Sequence, residues 1–206
     1  AAHMPVHLGA MPTAVRAVMD LAPFEPGDVL ALNDPFLGGT HLPDITTVAP
    51  VFAGQPEPIG YVASRAHHAD IGGMAPGSMP VARELLQEGL VIPPIRLIRA
   101  GEPEAAATAL IVRNSRAPIE REGDLRAQLA SVALGDRRLT ALSQRLGIET
   151  LAERTVALLA HGERVVRAVI AELPDGRYEF EDRLEVGDDG LTIRLALNIE
   201  GDAAHF

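Results

Sequence analysis

The sequence predicts an α+β fold, and three observations carry that prediction. Short apolar runs bounded by turn residues fill the first hundred positions, helical periodicity takes over from Glu104 to about Leu173, and strand-like alternation returns near the end. With 206 residues, 47% of them apolar, the chain can bury a full core, although aromatic residues make up only 3% of it. The expected organisation is an α+β region over 1–103 that holds the polar chemistry, a helical region over 104–173, and a β segment over 174–206. Both ends read as cut, so the sequence is expected to be a piece of a longer protein.

Taken in order, Pro12 suits a first helical turn, and the apolar spacing from Thr13 to Leu21 predicts a short helix. His3 and His7 are four apart, but Pro5 between them argues for extended chain. Val29-Leu30-Ala31-Leu32 reads as a buried strand between turn residues. Residues 45–52 and 59–64 read as a hairpin around Ala53-Gly54-Gln55-Pro56-Glu57-Pro58. A helical turn over 81–87 is expected, then extended chain over 90–98, because Pro93-Pro94 excludes helix. Gly123, Gly135, Gly147 and Gly162 punctuate the helical region as breaks or kinks. Tyr178 to Glu181 and Leu191 to Ile199 then form a closing hairpin, turned by Gly187-Asp188-Asp189-Gly190.

A formal net charge of -10 argues against nucleic acid or an anionic membrane as partner. The eighteen cationic residues are all arginine, and this Arg- and Ala-rich composition suggests a bacterial coding bias. No lysine means no P-loop, so phosphate transfer from ATP is not expected of this chain. There is no cysteine, hence neither a disulfide framework nor a thiol nucleophile, which fits a cytoplasmic protein. No basic leader followed by an apolar stretch opens the chain, and no eighteen apolar residues run together.

The polar chemistry is concentrated between Asn33 and Ser78, in two glycine-flanked loops at the ends of neighbouring strands. His41 and Asp44 are three apart around Pro43, which suits a turn that aims both side chains one way; a capped turn beside a solvated histidine has about equal weight. Antiparallel pairing of the hairpin would bring Asp44 to the pair His67-His68. Side chains of adjacent strand residues face opposite ways, so only one of the pair can join a shared site. His67 is the favoured ligand, with His68 as a substrate contact or outer support. Imidazole nitrogens and a carboxylate make a mixed N/O site that accepts zinc, manganese or iron. Asp70 could orient a histidine or bind directly. Asp34, which closes a strand with Asn33, is either a ligand or base or, more ordinarily, a turn initiator. Arg65, Arg113 and Arg116 could meet a carboxylate or phosphate, against the usual alternative of surface arginine. Gly72-Gly73 with Gly77-Ser78 offers an NH-rich segment that could cradle an oxyanion.

Several of these runs together resemble one family. They are Pro5-Val6-His7-Leu8-Gly9, Asn33-Asp34-Pro35, Gly38-Gly39-Thr40-His41-Leu42-Pro43-Asp44, Ser64-Arg65-Ala66-His67-His68-Ala69-Asp70-Ile71-Gly72-Gly73, Pro76-Gly77-Ser78-Met79-Pro80, Glu88-Gly89, Ile92-Pro93-Pro94 and Gly123-Asp124-Leu125-Arg126-Ala127-Gln128. In this order they are similar to the hydantoinase B/oxoprolinase family, whose members include B subunits of ATP-dependent hydantoinases, 5-oxoprolinases and subunits of acetone-type carboxylases. The resemblance implies a hetero-oligomer in which a hydantoinase A-type partner binds ATP and phosphorylates a small-molecule substrate. The B-type chain would then complete ring opening of a hydantoin or 5-oxoproline with a divalent metal on His41, Asp44 and one histidine of the His67-His68 pair, His67 being the one favoured above. On chemical grounds His68 or Asp70 is then the candidate general base, and Asn33, Asp34, Arg65, Gly72 and Gly73 are the expected substrate contacts. The resemblance also implies a longer C-terminal part and an acidic ligand upstream. The alternatives are a subunit of an ATP-dependent ketone carboxylase and, from another class, a non-catalytic scaffold.

Overall fold

A computed structural model describes residues 5–185 and 190–206. In chain order its elements are helix α1 (Pro5–Met19), strands β1 (Val29–Leu32), β2 (Asp44–Val51) and β3 (Gly60–His67), and the short helix α2 (Leu85–Glu88). These are followed by β4 (Ile95–Arg99), β5 (Glu102–Pro103), helices α3 (Ala105–Arg113), α4 (Pro118–Leu146) and α5 (Ile148–Ile170), and strands β6 (Gly176–Leu184), β7 (Leu191–Glu200) and β8 (Ala203–His205). The α+β fold is as expected, with an antiparallel sheet first, helices in the middle and a β hairpin sheet last. Two compact units divide the chain, 1–147 and 148–206. No helix among the described residues is long and apolar enough to cross a membrane.

In the first unit the strand order is β3-β2-β1-β4-β5, all neighbours antiparallel. The strands alternate faces with period two, and that parity divides the core. Leu30 and Leu32 of β1 and Val48 of β2 pack with Ala14 and Val18 of α1 on one face. Val29, Ala31, Ile45 and Ala49 pack on the other face against α3 and α4, through Ile111, Leu125 and Val132. Leu30, Leu32, Ile45, Ile111 and Leu125 are at most 1% exposed, and each fully buried side chain of this size stabilises by about 2 kcal/mol. The unit is thus a helix, a sheet and a helical layer.

The second unit pairs β6 with β7 along nine positions from Gly176↔Ile199 to Leu184↔Leu191, with β8 on the other edge of β7. Ile199 is its one buried apolar residue among those described, while Leu158, Leu159, Val166 and Phe180 are each more than half exposed. The expected turn at Gly187-Asp188-Asp189 lies outside the described residues.

Several expectations are corrected. The first helix begins at Pro5, not Pro12, so His7 is helical, and Pro12 sits inside, where it withholds one N–H from the ladder. His3 lies outside the described residues. Regular extension within 90–98 is confined to β4, and the strand predicted to end at Ser64 runs on to His67. Of the four glycine breaks only Gly147 lies between helices; Gly123, Gly135 and Gly162 are helix interior. A glycine costs a helix about 1 kcal/mol, too little to stop one that is fixed by packing. The break between α3 and α4 falls instead just before Pro118, which opens α4 as its first residue.

Candidate metal centre

Asp44 opens β2 and His67 closes β3, and the two are direct cross-strand partners. His41 lies in the turn that enters β2, where Asp44 N–H donates to its carbonyl at 2.8 Å. The consequence is a cluster of three donors, His41, Asp44 and His67, with one ligand atom of each within 4.8 Å of the others. The His41 Nδ1–Asp44 Oδ2 distance is 3.8 Å and the His67 Nδ1–Asp44 Oδ1 distance 3.9 Å. Both are too long for hydrogen bonds. They approach the spacing of two ligands across a shared ion, roughly 3 to 3.5 Å for bonds of about 2.1 Å. The imidazoles lie with centroids 5.3 Å apart. Asp44 forms the floor, its side chain 12% exposed, and the histidines, at 38% and 54%, form an open rim. Two neutral nitrogens and one carboxylate oxygen that do not bond each other fit a divalent cation of the zinc, manganese or iron type.

The loop that carries His41 is held from three directions. Asn33 is fully buried; its amide donates to Leu42 O at 2.7 Å and Leu90 O at 2.9 Å and accepts from Ile92 N–H at 2.6 Å. Gly39 runs against the Asn33 backbone so closely that a Cβ there would lie 2.0 Å from Asn33 O, so no larger residue fits. Asp34 accepts from Phe36 N–H at 2.9 Å and caps the turn over Pro35–Leu37. Arg65 is two residues before His67 and so on the same face. It donates to Gly38 O at 2.8 Å and Thr46 Oγ1 at 2.6 Å, with His7 Nδ1 of α1 at 3.4 Å. Burial lowers the Arg65 pKa and the nearby Asp44 charge raises it, so Arg65 supplies positive charge beside the cluster. His7 is a neighbour that sequence reasoning missed, because Pro5 was expected to keep that segment extended.

Parity sends His68 to the other face. It is fully buried against α4, with Nε2 at 2.7 Å from Gln128 Oε1. Gln128 Nε2 donates to Ile45 O at 2.9 Å, which fixes Oε1 as acceptor and assigns the His68 proton to Nε2. His68 Nδ1 is buried with no hydrogen-bond partner among the described residues. Burial, with a smaller contribution from Arg121, lowers the His68 pKa and keeps the ring neutral.

Asp70 sits beyond the strand end, 5% exposed. Burial pushes its pKa up, but hydrogen bonds from Gly72 N–H, Arg116 N–H, Gly77 N–H and the Arg116 guanidinium outweigh burial and hold it at about 2. The structure therefore gathers His41, Asp44 and His67, places Arg65 beside them, uses Asn33 and Asp34 to shape the His41 loop, and places His68 and Asp70 in separate hydrogen-bond networks. Gly72 and Gly73 line a different pocket.

All 206 residues match the family model described as Hydantoinase B/oxoprolinase. The chain is 35% identical over 223 residues to 5-oxoprolinase of Saccharomyces cerevisiae, with 100% of this chain and 17% of that protein covered. It is 35% identical over 208 residues to caprolactamase subunit beta of Pseudomonas jessenii, with 98% of this chain and 36% of that one covered. Relatives thus come from yeast as well as bacteria. The crystal structure of the ATP-dependent caprolactamase from Pseudomonas jessenii superposes with a TM-score of 0.89 at 34% identity, over 98% of this chain and 36% of that one. A nucleotide-free acetone carboxylase shares the fold, with a TM-score of 0.84 at 21% identity, over 96% of this chain and 29% of that one. The chain spans about a third of the length of the caprolactamase subunit it matches. By the match along its full length and by these likenesses, the chain belongs to the hydantoinase B/oxoprolinase family.

Proposed function

We propose that the chain is part of the B-type subunit of a cytoplasmic, ATP-dependent cyclic-amide hydrolase, acting on a hydantoin-like or 5-oxoproline-like substrate. A hydantoinase A-type partner would bind ATP, and His41, Asp44 and His67 would hold a divalent metal. The observation that carries this reading is the open triad itself, three donors converged by strand register without bonding one another. A divalent ion, when bound, supplies an acidified water at neutral pH and draws electron density from an amide carbonyl.

The chain's own residues frame that chemistry. Asp44 supplies the negative charge that a cation needs, and Arg65, the cation beside it, faces the same side of the sheet and would meet anionic parts of the substrate. Asn33 and Asp34 set the wall on which His41 stands, and Gly72 and Gly73 follow five and six residues after His67. Contacts of His68 and Asp70 favour supporting parts in this reading. His68 pins the end of β3 to α4, and Asp70 folds the loop beyond it.

The likeness in sequence to caprolactamase and 5-oxoprolinase favours hydrolysis over ketone carboxylation, since acetone carboxylase shares the fold alone. The test reconstitutes the chain's full subunit with its A-type partner and measures metal content and ATP-coupled ring opening. Ring opening that is lost together with bound metal in Asp44→Ala supports the reading. Bicarbonate-dependent ATP turnover on a ketone would transfer the chain to the carboxylases, and unchanged metal and activity in both His41→Ala and Asp44→Ala would make it a scaffold.

A further inference from the structure

About forty residues separate Gly72 and Gly73 from Arg113 and Arg116, yet the fold brings all four to one cavity of about 460 Å³. That volume is in the range of small-ligand sites. No Asp or Glu is among the described residues that line it, in a chain with 28 acidic and 18 cationic residues. The two arginines differ. Arg116 gives its guanidinium to Asp70 Oδ2 at 3.1 Å, Ala75 O at 3.1 Å and Gly73 O at 2.8 Å, so its charge is compensated and it fixes the cavity wall. The Arg113 side chain is exposed and makes no hydrogen bond or ion pair among the described residues.

The rest of the wall combines Ile71, Leu86 and Leu90 with three glycines. A Cβ on Gly72 would lie 2.7 Å from Asn114 O and one on Gly73 2.6 Å from Gln87 O, so both glycines pack tightly on neighbouring backbone and hold the floor of the pocket in place, while the donor that faces an anion is the Arg113 guanidinium. From these features we propose that the pocket is a binding site for a small oxyanion, a carboxylate or a phosphate monoanion, gripped by the Arg113 guanidinium. A planar guanidinium matches two oxygens of such a group at once. One uncompensated positive charge suits a monoanion. The described residues of the lining include no aromatic ring to stack a base, which argues against a nucleotide. A cation is disfavoured by the lack of carboxylates. In a chain of net charge -10, anions are held only where a local positive charge reverses the general repulsion. Gly72 follows His67 by five residues, a span of at most about 18 Å, so this pocket neighbours the metal cluster but shares no residue with it. The inference does not depend on the proposed function.

The experiment titrates the protein, kept in EDTA, with inorganic phosphate and separately with acetate, followed by calorimetry and by amide NMR shifts. Saturable binding of one probe, with shifts at Gly72 and Gly73 and about tenfold weakening in Arg113→Gln, is expected; the probe preferred tells phosphate from carboxylate. Arg154→Gln, another exposed arginine, is expected to bind as wild type. Failure of both probes to saturate, equal affinity in Arg113→Gln, equal weakening in Arg154→Gln, or loss of binding in His41→Ala would each overturn the proposal.

Discussion

The two sides of β3 use the same residue type to opposite ends. His67 faces α1, half exposed, and its neighbours His41 and Asp44 stand just beyond hydrogen-bond reach. His68 faces α4, fully buried, with its proton committed to Gln128. The difference teaches where function is to be sought: half-open donors that converge without bonding one another are free to take a ligand, whereas an imidazole shut away from solvent, with its proton committed to Gln128, belongs to the scaffold.

The largest expected effect tests the open side. Asp44→Ala should weaken divalent-metal affinity on the order of 100-fold or more, read by calorimetry, with little change in thermal stability. A melt that collapses while affinity persists would reverse the roles of the two faces. Next comes the support of the His41 loop. Asn33→Ala leaves two buried carbonyls and one N–H without partners and should cost about 3 kcal/mol in denaturant unfolding. A third effect belongs to the loop beyond both histidines. The folded pKa of Asp70, about 2, lies below its ordinary 3.8, so its contribution is fully present above pH ~4 and is lost as pH falls toward 2. That contribution is about 2 kcal/mol, and Asp70→Asn should flatten the acid limb of the stability profile. The smallest tests the closed side: Gln128→Leu strands the His68 Nε2 proton and should cost about 1 to 2 kcal/mol while leaving metal affinity within twofold.

Much of the site was legible because it follows from chain direction and parity. Two strands joined by a short exposed turn bring Asp44 to His67, and period two allows only one of His67 and His68 onto the shared face. The fold class was legible in the same way, from the change of hydrophobic period near Glu104. What escaped depends on distant packing. That His68 meets Gln128, sixty residues on, has no local signal, nor does the compensation of Asp70 by Arg116. Helix limits were misread where glycine and proline were taken as stops. Tertiary contacts let α4 run through Gly123 and Gly135, and α1 accepts Pro12 for the loss of one backbone bond.

The eight-rung pairing of β2 with β3 has a consequence for how this gene can vary. A single codon gained or lost within 60–67 would turn the imidazole of His67 inward and bring its neighbour outward, dismantling the triad with every ligand codon still intact. The exposed bend over 53–58 lies at the far end of that ladder and tolerates changes in length. Insertions and deletions across descendants of this sequence should therefore collect in the bend and be absent from the rungs.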